Sequence, residues 1–308
     1  LAPEMRIPGI KKLLFYSSIC LSGVWGKLTG REPAGTVEIL KFFIASLQRA
    51  FERNTLEPDV TPGRDGFNLV AMGDVKLHWP ARHALSAVKQ GFFEQTNKHC
   101  PHNYFNLYTP EPGSVVFDVG ACEGIFTWLI KDRVSEIYAF EPIRDIAEGL
   151  RRTFAPEIAS GRVIVVENGI HDRQQKMHFN FTGSNISGSS LECGLNAGAG
   201  SEAVNVTTID DFVERHQIKR LDLVKMDIEG AELGALHGAR RTIKALRSSF
   251  LVCVYHKDQD LFEIPAFFER EGYRVKSGPV SSILFTRLPG HKVSRPHFRP
   301  MIILATPQ

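Results

Sequence analysis

Three clusters of residues in this chain could do chemistry. The first is Val116-Phe117-Asp118-Val119-Gly120-Ala121-Cys122-Glu123-Gly124. An apolar run ends in an acidic residue and passes through glycines into a helical pattern. Glycine has no Cβ, so at Gly120 and Gly124 the backbone can bend sharply and a ligand can come close. The second cluster is Tyr138-Ala139-Phe140-Glu141-Pro142, another apolar run closed by a carboxylate. Glu141 lies 23 positions after Asp118, about one βα unit later. A carboxylate there can accept both hydroxyls of an adenosine ribose. The third cluster is Asp227-Ile228-Glu229, with His256 after a further apolar run.

The spacing discriminates among adenosyl ligands. A dinucleotide fingerprint, G-x-G-x-x-G read from Gly120, needs glycine at 122 and 125, where the chain has Cys122 and Ile125. A G-x-x-x-x-G-K-[ST] phosphate loop is absent. A nucleoside fits, but no pyrophosphate cradle is evident, which favours S-adenosylmethionine over NAD or ATP. The expected cofactor residues are Asp118, Gly120, Ala121, Cys122, Gly124, Glu141, Pro142, Asn168 and Asp227. Asp118 would hold the methionine end or order the turn.

Methyl transfer needs an in-line nucleophile, and a base if that nucleophile is a hydroxyl. Histidine titrates near neutral pH. The sequence therefore suggests His256 as the base, with Asp227 or Glu229 orienting the acceptor. Other readings stay open. The two carboxylates could simply favour a helix N-terminus, and His256 could be a loop residue satisfied by its surroundings. Oxygen ligands with one histidine would also suit Mg²⁺ or Mn²⁺, although no metal ligand is assigned.

These residues need a scaffold. From Gly113 onward, short apolar runs alternate with amphipathic stretches: 115–119, 137–140, 163–166, 221–226 and 250–254, with 273–276 and 283–286 as two final strands. Such alternation implies βαβ units and a doubly wound, Rossmann-like, mostly parallel sheet of seven strands. Residues 1–100 read as a helical extension, with a helix over 37–51 and a short hairpin within 67–77. The catalytic domain is expected over 101–290, and 291–308 reads as a solvated basic tail. Residues 182–200 are rich in Gly, Ser and Asn, which suits a lid or a disordered insertion.

The motifs resemble the FkbM-type S-adenosylmethionine-dependent methyltransferases from about Asn103 to Thr286. Asp118-Val119-Gly120-Ala121 with Gly124 is similar to that family's D-V-G-A-N-x-G. Ala139-Phe140-Glu141-Pro142 and Val206-Thr207-Thr208-Ile209-Asp210-Asp211 have counterparts too. The most specific match is Asp222-Leu223-Val224-Lys225-Met226-Asp227-Ile228-Glu229-Gly230-Ala231-Glu232, like D-x-x-K-x-D-x-E-G-x-E. Cys122 departs from the usual Asn, and Glu123 from an apolar residue. The resemblance implies a class I methyltransferase sheet and methyl transfer to an oxygen, often a hydroxyl of a sugar, glycan or natural product. A nucleotide-dependent oxidoreductase and a non-catalytic binding protein of the same fold are the alternatives.

Composition narrows the partners. The 308 residues are 43% hydrophobic and 23% charged, with net charge +3, ordinary for a globular chain with a sizeable core. So mild a basic bias does not point to nucleic acid. Five widely spaced cysteines, without C-x-x-C, support neither zinc nor a disulfide framework and suit a reducing, cytoplasmic compartment. Within residues 11–28, Lys11 and Lys12 precede an apolar run shorter than the ~20 residues of a membrane span. A packed helix is the expectation there, and contact with a membrane surface the lesser alternative.

Overall fold

The computed structural model describes residues 37, 39–44, 57–180, 201–282 and 298–308. The apolar run within 11–28 and the Gly/Ser/Asn-rich segment 182–200 lie outside the described residues, as does the strand expected at 283–286.

Residues 39–44 are helical, but the extension is not helical throughout. Asp59–Pro62 (β1), Phe67–Met72 (β2) and Val75–Pro80 (β3) form an antiparallel meander. The hairpin expected within 67–77 is its second turn, with Met72 paired to Val75. Alternation explains the burial: Val70, Met72, Val75, Leu77 and Trp79 face inward, while Leu69 is exposed. The reading of 1–100 as helical is corrected to this extent, because period-two alternation across 67–79 prevails over the helical pattern upstream. Leu85–Thr96 (α1) follows.

The main sheet then begins with Val115–Val119 (β4), Glu136–Phe140 (β5) and Val163–Val166 (β6). Ile125–Ile130 (α2), Arg144–Thr153 (α3) and Ala155–Ala159 (α4) connect them. A small side sheet of Gly169–Ile170 (β7), Gln175–Asn180 (β8) and Ser201–Thr207 (β9) comes next. It leads to Ile209–Arg215 (α5), where the Thr208 side chain caps the helix by accepting from Asp211 N at 2.9 Å.

The chain returns to the main sheet with Leu223–Met226 (β10) and Ser249–Cys253 (β11), joined by Glu232–His237 (α6) and Arg240–Leu246 (α7). Asp260–Arg270 (α8), Tyr273–Ser277 (β12), Val280–Ser282 (β13), Phe298–Pro300 (β14) and Ile302–Pro307 (β15) complete it.

The seven-stranded order is β12-β15-β11-β10-β4-β5-β6. The pairs from β11 through β6 are parallel, and β15 runs antiparallel to both its neighbours. The two faces are filled separately: Phe117, Phe140, Met226 and Phe250 on one, and Val116, Ile137, Leu223 and Leu251 on the other. Covered on both faces, the strands read as continuous apolar runs. The chain leaves β4 in one direction and β10 in the other, so the switch point lies between them. Their carboxyl ends open there onto one crevice.

The last strand corrects the sequence reading. Residues 302–307 are not a solvated tail. Ile302, Ile303, Leu304 and Ala305 are all buried, within an apolar run flanked by Pro300 and Pro307. A chain ending at Pro300 would leave β11 as an unpaired edge and separate it from β12. We expect that truncation to abolish cooperative thermal unfolding and to bind a hydrophobic dye. A sharp transition near that of the full chain would show β15 to be dispensable.

Candidate functional site

Beneath the crevice lies a buried ion pair. Lys225 on β10 sits in register with Asp118 on β4. Its Nζ is 2.9 Å from Asp118 Oδ1 and donates to Gly120 O at 2.6 Å. Asp118 is fully buried and its Oδ2 accepts from Thr127 Oγ1 at 2.7 Å. Burial opposes the Lys225 charge, but Asp118 and then Asp227 outweigh it and push its pKa up to about 12. Asp118 therefore orders the turn and does not line the cavity.

The turn is tight for a steric reason. Gly120 has φ 80, and a Cβ there would lie 2.0 Å from Asp227 O. Gly124 has φ 82, and its Cβ would strike Leu150 and Phe154. Gly124 serves packing behind the turn and does not line the cavity. Cys122 has φ 44, in the left-handed region, which Asn adopts more readily than most residues.

Above the turn is a cavity lined by the remaining expected residues: Gly120, Ala121, Cys122, Glu141, Pro142, Asn168, Asp227 and Glu229. Glu141 Oε2 accepts from Cys122 N at 3.1 Å, and Oε1 accepts from Ile143 N at 2.9 Å. Its carboxylate thereby ties the first βα turn to the second. Burial raises the Glu141 pKa to about 8, against the pull of those two N–H groups. Glu123 also lines the cavity, and burial raises its pKa to about 7.

Asp227 is the hub of the second half. Its Oδ2 accepts from Tyr104 Oη at 2.8 Å and lies 3.5 Å from His102 Nε2. Its Oδ1 lies 3.5 Å from His256 Nε2. Burial alone would raise its pKa, but His102, His256 and Lys225 hold the carboxyl down to about 2.

His256 does not fit the role of base. Its side chain is only 7% exposed and it is absent from the cavity wall. Nδ1 lies 2.9 Å from Glu232, and Nε2 lies 3.4 Å from Glu229. Burial favours the neutral ring, yet these carboxylates prevail and push its pKa up to about 10. An imidazolium has no lone pair with which to accept a proton. Asp227, Glu232 and His256 lie close enough together to hold a metal ion, and Glu232 also accepts from Ile228 N and Gly230 N, each at 2.9 Å.

The sequence reading missed the polar wall on the far side of the cavity. Glu94 and Gln95 come from α1, and His102 and Tyr104 from the segment after it. No local pattern marks them, since Tyr104 meets Asp227 across 123 positions. The Lys225 motif was visible, but its ion pair required the β4–β10 register.

Residues 118–275, just over half of the chain, match the methyltransferase FkbM domain. The chain belongs to the FkbM methyltransferase family. It is 23% identical over 197 residues to the 2-O-methyltransferase NoeI of Sinorhizobium fredii, covering 58% of this chain and 78% of that protein. Among solved structures it is similar to methyltransferase FkbM from Methylobacillus flagellatus KT, with 19% identity and a TM-score of 0.44. That match covers 73% of this chain and spans 56% of the other. It is also similar to TrmK of M. capricolum in complex with S-adenosyl-homocysteine, with 10% identity and a TM-score of 0.36, covering 64% and 63%.

Two outcomes test the electrostatics. Removing one partner of a buried pair costs about 3–5 kcal/mol. Lys225→Met is thus expected to lower stability by about that amount in urea unfolding, with a smaller loss when combined with Asp118→Asn. The His256 pKa is raised in the folded state. The stability it contributes is present in full below pH 6.5 and is lost as pH rises towards about 10. The melting temperature should therefore fall across that window in the wild type and stay flatter in His256→Gln. Equal slopes would show that the ring is neutral when folded.

Proposed function

We propose that this protein transfers a methyl group from S-adenosylmethionine to an oxygen, a hydroxyl of a sugar, glycan or natural-product acceptor. The observation that carries the reading is Glu141, a carboxylate facing the cavity at the end of β5, tied to the turn that ends β4. A ribose diol needs an acceptor of this kind at this place. The rest of the lining suits the same ligand. Glu94, Glu123, Glu141, Asp227 and Glu229 face the cavity, and Lys225, the one lysine or arginine among the described lining residues, is held by Asp118. Such a wall favours a cation such as a sulfonium and disfavours a pyrophosphate, which argues against a dinucleotide oxidoreductase.

In this reading Glu141 holds the ribose, the turn of Gly120, Ala121 and Cys122 backs the methionine end, Pro142 borders the ribose, and Asn168 sits towards the adenine. Asp227 and Glu229 orient the acceptor. When bound, the cofactor supplies an activated methyl whose positive charge disappears on transfer. The chain's part is to align the acceptor oxygen, exclude water and take up one proton. Oxygen as the acceptor atom draws support from the relative named as a 2-O-methyltransferase.

Calorimetric titration of S-adenosylmethionine and S-adenosylhomocysteine tests the cofactor. Micromolar binding is expected, at least about 100-fold weaker in Glu141→Ala. With the free carboxyl near pKa 8 and the ribose needing the ionised form, affinity should strengthen from pH 6.5 to 8.5. That trend should flatten in Glu141→Gln. Absence of binding to the folded wild type would sink the reading, and NAD titration would then separate the oxidoreductase alternative. Transfer of labelled methyl to neutral methyl glycosides tests the acceptor class.

A further inference from the structure

With His256 held as an imidazolium, the acceptor's proton needs another destination. A hydroxyl is too weak an acid to ionise unaided near neutral pH. The base must line the cavity, carry a lone pair and be held in one orientation.

His102 meets these conditions. Its ring lines the cavity and is only 4% exposed. Nδ1 lies 3.1 Å from Glu94 Oε2. Nε2 points the other way, 3.5 Å from Asp227 Oδ2 and 3.4 Å from Cys253 Sγ. The rings of Tyr104 and Tyr255 flank it, each with its centroid 5.4 Å away. Glu94 is itself steadied by Gln90 Nε2, which donates to Oε1 at 2.9 Å. In the neutral ring the Glu94 carboxylate beside Nδ1 favours the proton on that nitrogen, which would leave Nε2, on the Asp227 side, to accept a proton.

We infer that His102 is the general base of the methyl transfer, with Glu94 as the residue that fixes its tautomer. This rests on the methyltransferase reading above. In the step, the acceptor oxygen forms a bond to the methyl carbon and the carbon–sulfur bond breaks. The electron pair of that bond returns to sulfur, which becomes a neutral thioether. The acceptor's proton moves to His102 Nε2, and Asp227 holds the hydroxyl and steadies the imidazolium that forms.

The charges around the ring agree with this role. Burial favours the neutral imidazole, while Glu94 and then Asp227 favour the charged one and His256 opposes it, leaving the pKa above 6.5. The Tyr104 phenol and the Cys253 thiol, also in contact, are pushed up by burial and stay protonated. Tyr255 behaves likewise. Glu94 and His102 both lie upstream of the matched residues 118–275. The base would then be supplied by this chain's own extension and not by the family motifs.

Two measurements on the full chain test the inference. The first is NMR titration of the histidine rings in the S-adenosylhomocysteine complex, with His102 assigned from His102→Gln. His102 should titrate above the ordinary histidine value of 6.5, carry its neutral-state proton on Nδ1, and titrate lower in Glu94→Gln. The second is methyl transfer to neutral methyl glycosides. His102→Gln should lose at least about 100-fold in kcat while its Kd for S-adenosylhomocysteine changes less than threefold. The acid limb of kcat/KM should move to lower pH in Glu94→Gln. A His102 ring whose titration is not raised above 6.5, or does not respond to Glu94→Gln, overturns the inference whether or not an acceptor is found. Near-wild-type turnover in His102→Gln also overturns it. Loss of S-adenosylhomocysteine binding by the wild type would instead refute the methyltransferase reading.

Discussion

The active half of this molecule depends on one buried ion pair. Lys225 and Asp118 face each other across the β4–β10 seam, the place where the sheet reverses direction. Two charges taken out of water are expensive unless each finds further partners. Here both do, because Asp118 also accepts from Thr127 and Lys225 also donates to Gly120 O. The second of those bonds pins the glycine turn, and the turn leaves no space for a Cβ against Asp227 O. The glycine turn and the Asp227 carboxylate are thus placed by the same pair of charges.

A second consequence is electrostatic. Lys225 also lowers the pKa of Asp227, with His102 and His256 contributing more. Asp227 is therefore ionised throughout the physiological range, although it is largely buried. The three carboxylates around His256 hold that ring charged, so it acts as a fixed cation behind Asp227. His102 has a carboxylate beside each ring nitrogen, Glu94 at 3.1 Å from Nδ1 and Asp227 at 3.5 Å from Nε2, with His256 opposing its charge. Three carboxylates lie beside His256 and two beside His102.

Much of this fold is legible in the sequence. The apolar runs at 115–119 and 163–166 match β4 and β6 residue for residue, and β5, β10 and β11 differ only at their ends. Strands buried on both faces of a parallel sheet leave such unbroken runs. The last strand was obscured by its neighbourhood: Lys292, Arg295 and Arg299 suggested a solvated tail, although Met301 to Ala305 is itself an apolar run. The cavity wall of Gly120, Ala121, Cys122, Glu141, Pro142 and Asn168 was legible because those residues follow β4, β5 and β6. The role of His256 was not, since its protonation depends on Glu229 and Glu232, whose positions around the ring follow from the turn into α6. Glu94, His102 and Tyr104 were not legible at all, because their meaning arises only when α1 folds back over the crevice.

That last point separates the site into two halves of different origin. The turn after β4, Glu141 after β5 and Asp227 after β10 sit where any doubly wound sheet gathers ligands. Their positions follow from strand register and leave little freedom. The opposite wall is made by α1 and the segment around Tyr104, which touch the sheet through side chains and not through β-ladders. Tyr104 is fastened to Asp227 and to Cys253 at the end of β11, and His102 to Glu94 and Asp227. A wall attached in this way can change its side chains without disturbing the sheet. It follows that the lining contributed by residues 85–104 can vary while the strand-end half of the cavity stays constant.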